Sequence, residues 1–360
     1  MKKWNIGWGT VANCNMQCQF CYSKERRKTE ESLRLSDWIK FVDENNQRIN
    51  TINYGTGENS LSDKWFELIN YVRVNYPMIR QALTTNGYLS ERIKNKELYR
   101  IVTNSIDEVD VSLDFSTPEE HNTFRGTNGA FEWAINTLSY CKKENKDATI
   151  VFLGSEVNLI KENIKGLFEI AERYNAKLRM NLYRPTEGIN TLSKRFIPSY
   201  ERILDILQYI SKNYEILSLN DSLFSAILTT QSFIDPSGID SLRILANGDI
   251  TPSTYLIQDE YVIGNIREDP SLKNIENNIK NIICNILPDE CGNCILKDRC
   301  KGGVIDRRYL WYNNLERKDP YCQGPYYDRS LLPQQLVLSH KKFRSVHDGY
   351  LPTMFFINKN

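Results

Sequence analysis

Between residue 5 and about residue 215 the chain alternates short β-branched or apolar runs with longer stretches of helical period. This alternation constrains the fold more than any other feature. The strand-like runs are "NIGWGTVA", "NTINYG", "QALTTN", "DEVDVSLD", "TIVFLGSEV" and "KLRMNLYR", six in number. Between them lie amphipathic helices. In "SDKWFELINYVRV" a cap at Ser62 precedes one apolar face of Trp65, Leu68, Ile69 and Val72, and "ENIKGLFEIAERYNA" repeats the pattern with Ile164, Leu167, Phe168 and Ala171. Successive βα units predict an α/β fold with a parallel sheet covered by helices, because parallel neighbours need crossover connections. An open doubly wound sheet and a partial barrel both satisfy this pattern, and in both the chemistry gathers at the carboxyl ends of the strands.

The pattern changes after "SYERILDILQYISKNY", residues 199–214. Strand alternation returns in "SLRILANGDITPSTYL", where Asn247-Gly248 marks a hairpin, and a cysteine-rich segment follows. A boundary is expected near residue 220, dividing the chain into 1–220, 221–330 and a C-terminal segment 331–360 whose apolar content predicts that it packs. The 46 basic and 45 acidic side chains leave a net charge of +1, so no overall field recruits nucleic acid or an anionic membrane. The two N-terminal lysines are not followed by an apolar stretch of signal length, and no run reaches the length of a membrane span. A cytoplasmic protein is expected.

Nine cysteines, an odd number in clusters, do not resemble the disulfide framework of a small secreted domain and point to metal binding. "ANCNMQCQFCYSK" places Cys14, Cys18 and Cys21 in a C-x3-C-x2-C run directly after the first strand. Structural zinc takes four protein ligands, whereas three thiolates on a 4Fe-4S cubane leave one iron open to a small molecule. A zinc knuckle or chance spacing is the alternative. "CGNCILKDRC" followed by "RKDPYC" offers Cys291, Cys294, Cys300 and Cys322, enough to saturate either zinc or a cubane.

The first triplet, with Phe20 before its last cysteine, resembles the signature of the radical S-adenosylmethionine (SAM) superfamily. The resemblance implies a partial (β/α)6 TIM-like barrel over about residues 5–190. It also implies a cluster whose open iron chelates SAM, and reductive cleavage of SAM to a 5′-deoxyadenosyl radical that abstracts hydrogen from unactivated carbon. Later stretches extend the likeness. "YGTGENS" resembles the family's glycine-glycine-glutamate turn, with Thr56 in place of the first glycine and Gly57 and Glu58 retained. "TTNG" supplies Asn86; "VSLD" supplies Ser112 and Asp114, two apart and so on one sheet face; "RGTNGAF" opens with Arg125, whose guanidinium suits a SAM carboxylate. Phe20 and Tyr22, on either side of Cys21, are assigned to the same cofactor pocket. For these positions the plain alternatives are a strand-to-helix turn at Gly57 and a surface arginine at Arg125.

The second cysteine set, with "ILANGDITPS" and "YVIGNI", resembles the SPASM or twitch domain that follows many radical SAM barrels. Full SPASM domains carry further cysteines where this chain has Ser253 and Val304, so the likeness implies one auxiliary 4Fe-4S cluster on Cys291, Cys294, Cys300 and Cys322. Structural zinc is the alternative. Saturated ligation implies electron transfer rather than substrate chelation. Cys141 reads as a small buried hydrophobe, and Cys284 is a candidate hydrogen-atom donor for which a structural role is the simpler reading. His121, His340 and His347 form no spaced pair.

Three functions compete. The first is modification of a ribosomally made peptide by cross-linking, epimerisation or dehydrogenation; a start at the first barrel strand leaves recognition of the peptide to the C-terminal region or to a partner. The second is oxidation or epimerisation of a small molecule such as an aminocyclitol or sugar. The third is a non-catalytic iron-sulfur carrier or zinc protein. For either enzyme the resemblance implies an external electron donor such as flavodoxin or ferredoxin, with neither nucleic acid nor membrane as partner.

Overall fold

The computed structural model describes residues 2–24, 32–273, 275–282 and 286–359. Cys284 lies outside them. Each expected strand forms: β1 (Trp4–Trp8), β2 (Ile49–Tyr54), β3 (Arg80–Thr85), β4 (Glu108–Ser112), β5 (Asp147–Gly154) and β6 (Lys177–Leu182). Helices Leu35–Asn45, Asp63–Asn75, Lys96–Ser105, Ala130–Lys143 and Lys161–Tyr174 connect them, and Tyr200–Asn213 follows β6. Trp65, Leu68, Ile69 and Val72 are fully buried, as are Ile164, Leu167, Phe168 and Ala171, so these helices pack through the faces their periodicity marks. Ser62 occupies the N-cap position of its helix with extended backbone but makes no side-chain cap bond.

The strands from β1 to β6 are parallel and adjacent in sequence order. A doubly wound sheet would reverse its order partway. Continuous winding instead curls the sheet into a partial barrel, and the strand ends that carry Cys14, Gly57, Asn86 and Ser112 then face one mouth.

The sheet does not stop there. β7 (Glu215–Asn220), β8 (Ser241–Ile244), β9 (Asp249–Thr251), β10 (Gly264–Asn265) and β11 (Thr353–Ile357) extend it to eleven strands in the order β10-β9-β8-β1-β2-β3-β4-β5-β6-β11-β7. β8 runs parallel to β1, with Arg243 opposite Gly7. The Asn247-Gly248 hairpin joins β8 to β9, Gly248 taking the positive φ of 93° that the turn demands. β11 inserts antiparallel between β6 and β7. One sheet therefore crosses residue 220, and residues 331–360 return to complete it. Before β11, this returning segment seals the floor of the barrel: Val346 N–H donates to Glu108 Oε2 at 3.0 Å, and His347 Nδ1 lies 2.7 Å from Asp110 Oδ2.

Candidate active site

Cys14, Cys18 and Cys21 stand in the loop between β1 and helix Leu35–Asn45, none of them in a disulfide, on the wall of one cleft of about 200 Å³. A backbone bond from Cys21 N–H to Cys18 carbonyl at 3.2 Å folds the loop back on itself. Met16, Ala130, Phe20 and Trp133 pack around the thiols. Asn86 Nδ2 donates towards Cys14 Sγ at 3.7 Å, and the Cys18 thiol faces the Arg125 carbonyl at 3.6 Å. Burial pushes the Cys18 thiol up to about 11, against the pull of the Arg125 guanidinium. Phe20 stacks on Phe124 and lies 5.2 Å from the Arg125 guanidinium; Tyr22 lines the same cleft.

At the end of β2 the chain turns through two successive left-handed residues, Thr56 at φ 78° and Gly57 at φ 64°. A β-branched residue rarely adopts this conformation, and the Thr56 hydroxyl is held there by a 2.7 Å bond to Tyr22 Oη. Gly57 has no alternative. A Cβ at this position would come within 2.5 Å of the Asn13 carbonyl oxygen and 2.7 Å of that of Val11. The close approach lets Glu58 N–H donate to Asn13 carbonyl at 2.9 Å, clamping the residue before Cys14.

Thr56 and Gly57 line the cleft, whereas the Glu58 side chain is fully buried. Its carboxylate accepts bonds from Ser60, Thr85 Oγ1 and Asn86 N–H (2.8 Å), and burial raises its pKa despite them. Ser112, at the end of β4, lines the cleft, but Asp114 lies past the strand and points inward. Asp114 Oδ2 accepts from Arg125 at 2.6 Å, Oδ1 accepts from Leu153 N–H at 2.8 Å, and its own N–H donates to His121 Nδ1 at 3.1 Å. Arg125 thus reaches the cleft with its charge already matched.

The deep end of the cleft is built from residues that carry no motif. Arg179, Arg184, Arg243, Asn53, His347 and Tyr350 line it. Arg179 pairs with Asp110 at 3.2 Å and Arg184 with Asp306 at 2.8 Å. Gly7 and Gly9 clear the space: a Cβ on Gly7 would collide with Tyr350 Oη and Arg243 Nη1. Paired glycines in an otherwise bulky first strand were the available signal, since glycine inside a strand marks close approach by another group. Among the described residues, Glu108, Asp110 and His347 form a trio close enough for a single metal ion, but the Asp110 oxygen facing it is engaged by Arg179 and His347.

The second set of thiols converges on its own. Cys291, Cys294 and Cys300 are buried and Cys322 half-buried, and all four line one small apolar pocket with Leu223 and Tyr326. Tyr326 N–H donates towards Cys294 Sγ at 3.4 Å. Burial raises the Cys300 thiol well above its ordinary range and pushes Cys322 up to about 11. At the two positions where the likeness called for further thiols, Ser253 Oγ bonds Asp306 at 3.2 Å and Val304 is fully buried. Cys141 is a buried part of helix Ala130–Lys143.

Two groups of thiols, one on a cleft at the strand ends of a parallel barrel and one in a small apolar pocket, offer sulfur ligands to a metal centre. Residues 10–172 match the sequence profile of the Radical SAM superfamily. The chain is 24% identical over 333 residues to mycofactocin maturase MftC of Mycobacterium tuberculosis (strain ATCC 25618 / H37Rv), a match spanning 88% of this chain and 82% of that one. It is 25% identical over 349 residues to AdoMet-dependent heme synthase of Methanosarcina barkeri, spanning 88% and 95%. Its fold matches native anSMEcpe with bound AdoMet and Cp18Cys peptide at a TM-score of 0.70 and 16% identity, over 88% of this chain and 93% of that one. The barrel portion, residues 10–172, is thus a radical SAM superfamily region, which supports an iron-sulfur and SAM cofactor system, and the fold of the chain is shared with the solved structure over most of both chains. No helix among the described residues is long and apolar enough to cross a membrane.

Proposed function

We propose that the enzyme modifies a peptide, with Cys14, Cys18 and Cys21 holding the SAM-binding cluster and Cys291, Cys294, Cys300 and Cys322 holding one auxiliary 4Fe-4S cluster. The spacing of the thiols carries the cluster assignment. Cys14, Cys18 and Cys21 come in the C-x3-C-x2-C run on one cleft wall, leaving a position open to a small molecule, and Cys291, Cys294, Cys300 and Cys322 line one pocket and offer a saturated set. The apolar walls of the second pocket suit a saturated cluster that exchanges electrons.

When bound, the cluster and SAM supply reductive cleavage of the sulfonium and a 5′-deoxyadenosyl radical that removes a hydrogen atom from the substrate. This chain's residues position and enclose. Gly57 and the Glu58 N–H fix the loop that presents Cys14; the buried Glu58 carboxylate fixes the Asn86 backbone; Asp114 holds Arg125 beside Cys18. Ser112, Arg125, Asn86, Phe20 and Tyr22 line the space left for SAM. Glu58 and Asp114 act on that space through their neighbours. The peptide reading draws on the anSMEcpe structure, whose bound peptide occupies a protein of this fold. An external donor such as flavodoxin or ferredoxin supplies the electron, in a reducing cytoplasmic setting.

The test is anaerobic reconstitution with iron and sulfide, followed by SAM and reductant. About eight irons per chain and formation of 5′-deoxyadenosine are expected, and Cys18→Ala abolishes the latter. Zinc at the N-terminal loop of the native holoprotein, or no deoxyadenosine with several reductants, refutes the reading. The heme synthase relative favours a small-molecule substrate instead. Hydrogen loss from a tetrapyrrole but from no peptide in the same assay would decide for it.

A further inference from the structure

Among the described residues, four arginines line the cleft and no carboxylate does. Three have acidic partners inside the protein: Arg125 with Asp114, Arg179 with Asp110, Arg184 with Asp306. Arg243 has none among the described residues. Its side chain is 1% exposed, its Nε has no hydrogen-bond partner, and its one bond runs from Nη2 to the Gly55 carbonyl. A buried charge without a counter-charge is strongly unfavourable, yet the fold makes room for this one. Gly7 and Gly9 leave out the Cβ atoms that Nη1 and Nη2 would meet, at 2.8 and 3.3 Å. The guanidinium therefore runs along the inner face of β1, with Tyr350 beside it, and faces the open cleft.

We propose that Arg243 anchors a carboxylate of the substrate, so that the enzyme selects an acidic peptide segment, either an acidic side chain or a C-terminal carboxylate. This rests on the peptide-modifying reading above. Two observations place the carboxylate on the substrate rather than on SAM. Arg243 is opposite Gly7, below the end of β1 at Trp8, whereas the cysteine loop begins above it. Arg125, whose guanidinium lies 5.2 Å from the Phe20 ring of the thiol loop, is the arginine assigned to the SAM carboxylate, which it would meet while keeping its bond to Asp114. SAM also brings a sulfonium into the same cleft, and a substrate carboxylate offsets part of the positive charge gathered there. Arg243 is a specificity residue in this scheme.

Binding tests it without turnover. The reconstituted holoenzyme with SAM is titrated calorimetrically with two probe pairs. N-acetylglutamate α-methylamide against its glutamine counterpart isolates a side-chain carboxylate; N-acetyl-alanyl-alanine against its C-terminal amide isolates a terminal one. At least one acid is expected to bind roughly tenfold or more tighter than its amide, the worth of a charge-assisted hydrogen bond. The pair that shows the preference identifies the source. Arg243→Gln should abolish the preference and Arg243→Lys should keep part of it, with near-UV circular dichroism reporting folding. No preference in the unsubstituted enzyme overturns the proposal, whatever the variants do. So does a preference that survives in Arg243→Gln, including the case in which that variant loses SAM affinity instead. Deoxyadenosine formation by the unsubstituted enzyme is scored separately: its absence overturns the radical reading, whereas its presence without acid preference overturns only the role of Arg243.

Discussion

Gly57→Ala should loosen the cysteine loop far more than its backbone angle alone accounts for. The comparison is Gly126→Ala. Both glycines have φ of 64°, so an alanine at either bears the left-handed penalty of about 1–2 kcal/mol. At Gly126 nothing lies within 4 Å of the added Cβ. At Gly57 the Cβ meets two backbone oxygens, Asn13 at 2.5 Å and Val11 at 2.7 Å, and neither can rotate away as a side chain would. Relief requires the loop to move, stretching the Glu58 N–H bond to Asn13, at an overpacking cost of about 1–3 kcal/mol. The difference between the variants is therefore about 1–3 kcal/mol, concentrated at Cys14 to Cys21. The assay is alkylation of buried Cys18 in the apoprotein under native conditions, where reaction follows local opening. With each 1.4 kcal/mol worth tenfold, Gly57→Ala should label roughly five to a hundred times faster than Gly126→Ala and take up less iron at the N-terminal site. Equal labelling would refute the argument that the turn clamps the loop.

Arg307→Met should be among the most destabilising single changes, by about 3–5 kcal/mol in urea unfolding, because it strands two buried carboxylates, Asp221 at 2.8 Å and Asp319 at 2.6 Å. Burial alone would raise Asp110, but Arg179 and then His347 overcome it and lower its pKa to about 2. Its folded value lies below the unfolded one of ~3.9, so the stability it contributes is present above pH ~4 and is lost as pH falls towards 2. Asp110→Asn should flatten that part of an acid-unfolding curve. Phe356→Ala, on the strand between β6 and β7, should cost about 3–5 kcal/mol, read by thermal unfolding of the full chain. Cys294→Ala should lower iron content by about half and leave some SAM cleavage, in contrast to Cys18→Ala; equal loss of cleavage in both would contradict separate roles for the two sets.

The six barrel strands and the helices that follow them were readable because a period of two or 3.6 is a local property, written in consecutive residues such as Ile164, Leu167, Phe168 and Ala171. β7 escaped notice because it starts two residues after helix Tyr200–Asn213, without a turn to announce it. β11 escaped because its pairing is entirely non-local, Met354 lying opposite both Met180 and Leu219. The thiol sets were legible from spacing. Arg243, His347 and Tyr350 were not, since each is a single residue whose neighbours come from distant segments.

The amino-acid sequence by itself determined the βα order, the two groups of thiols and the glycine that must follow Thr56. Tertiary structure alone decided where the charges point. It turned Glu58 and Asp114 away from the cleft to hold Asn86 and Arg125, folded the C-terminal segment under the barrel to bring His347 to Asp110, and left Arg243 facing the cleft without an acid among the described residues. The physical reason is that an ionisable side chain is defined by its partner. Partners tens or hundreds of residues apart meet only when the whole sheet has closed around them.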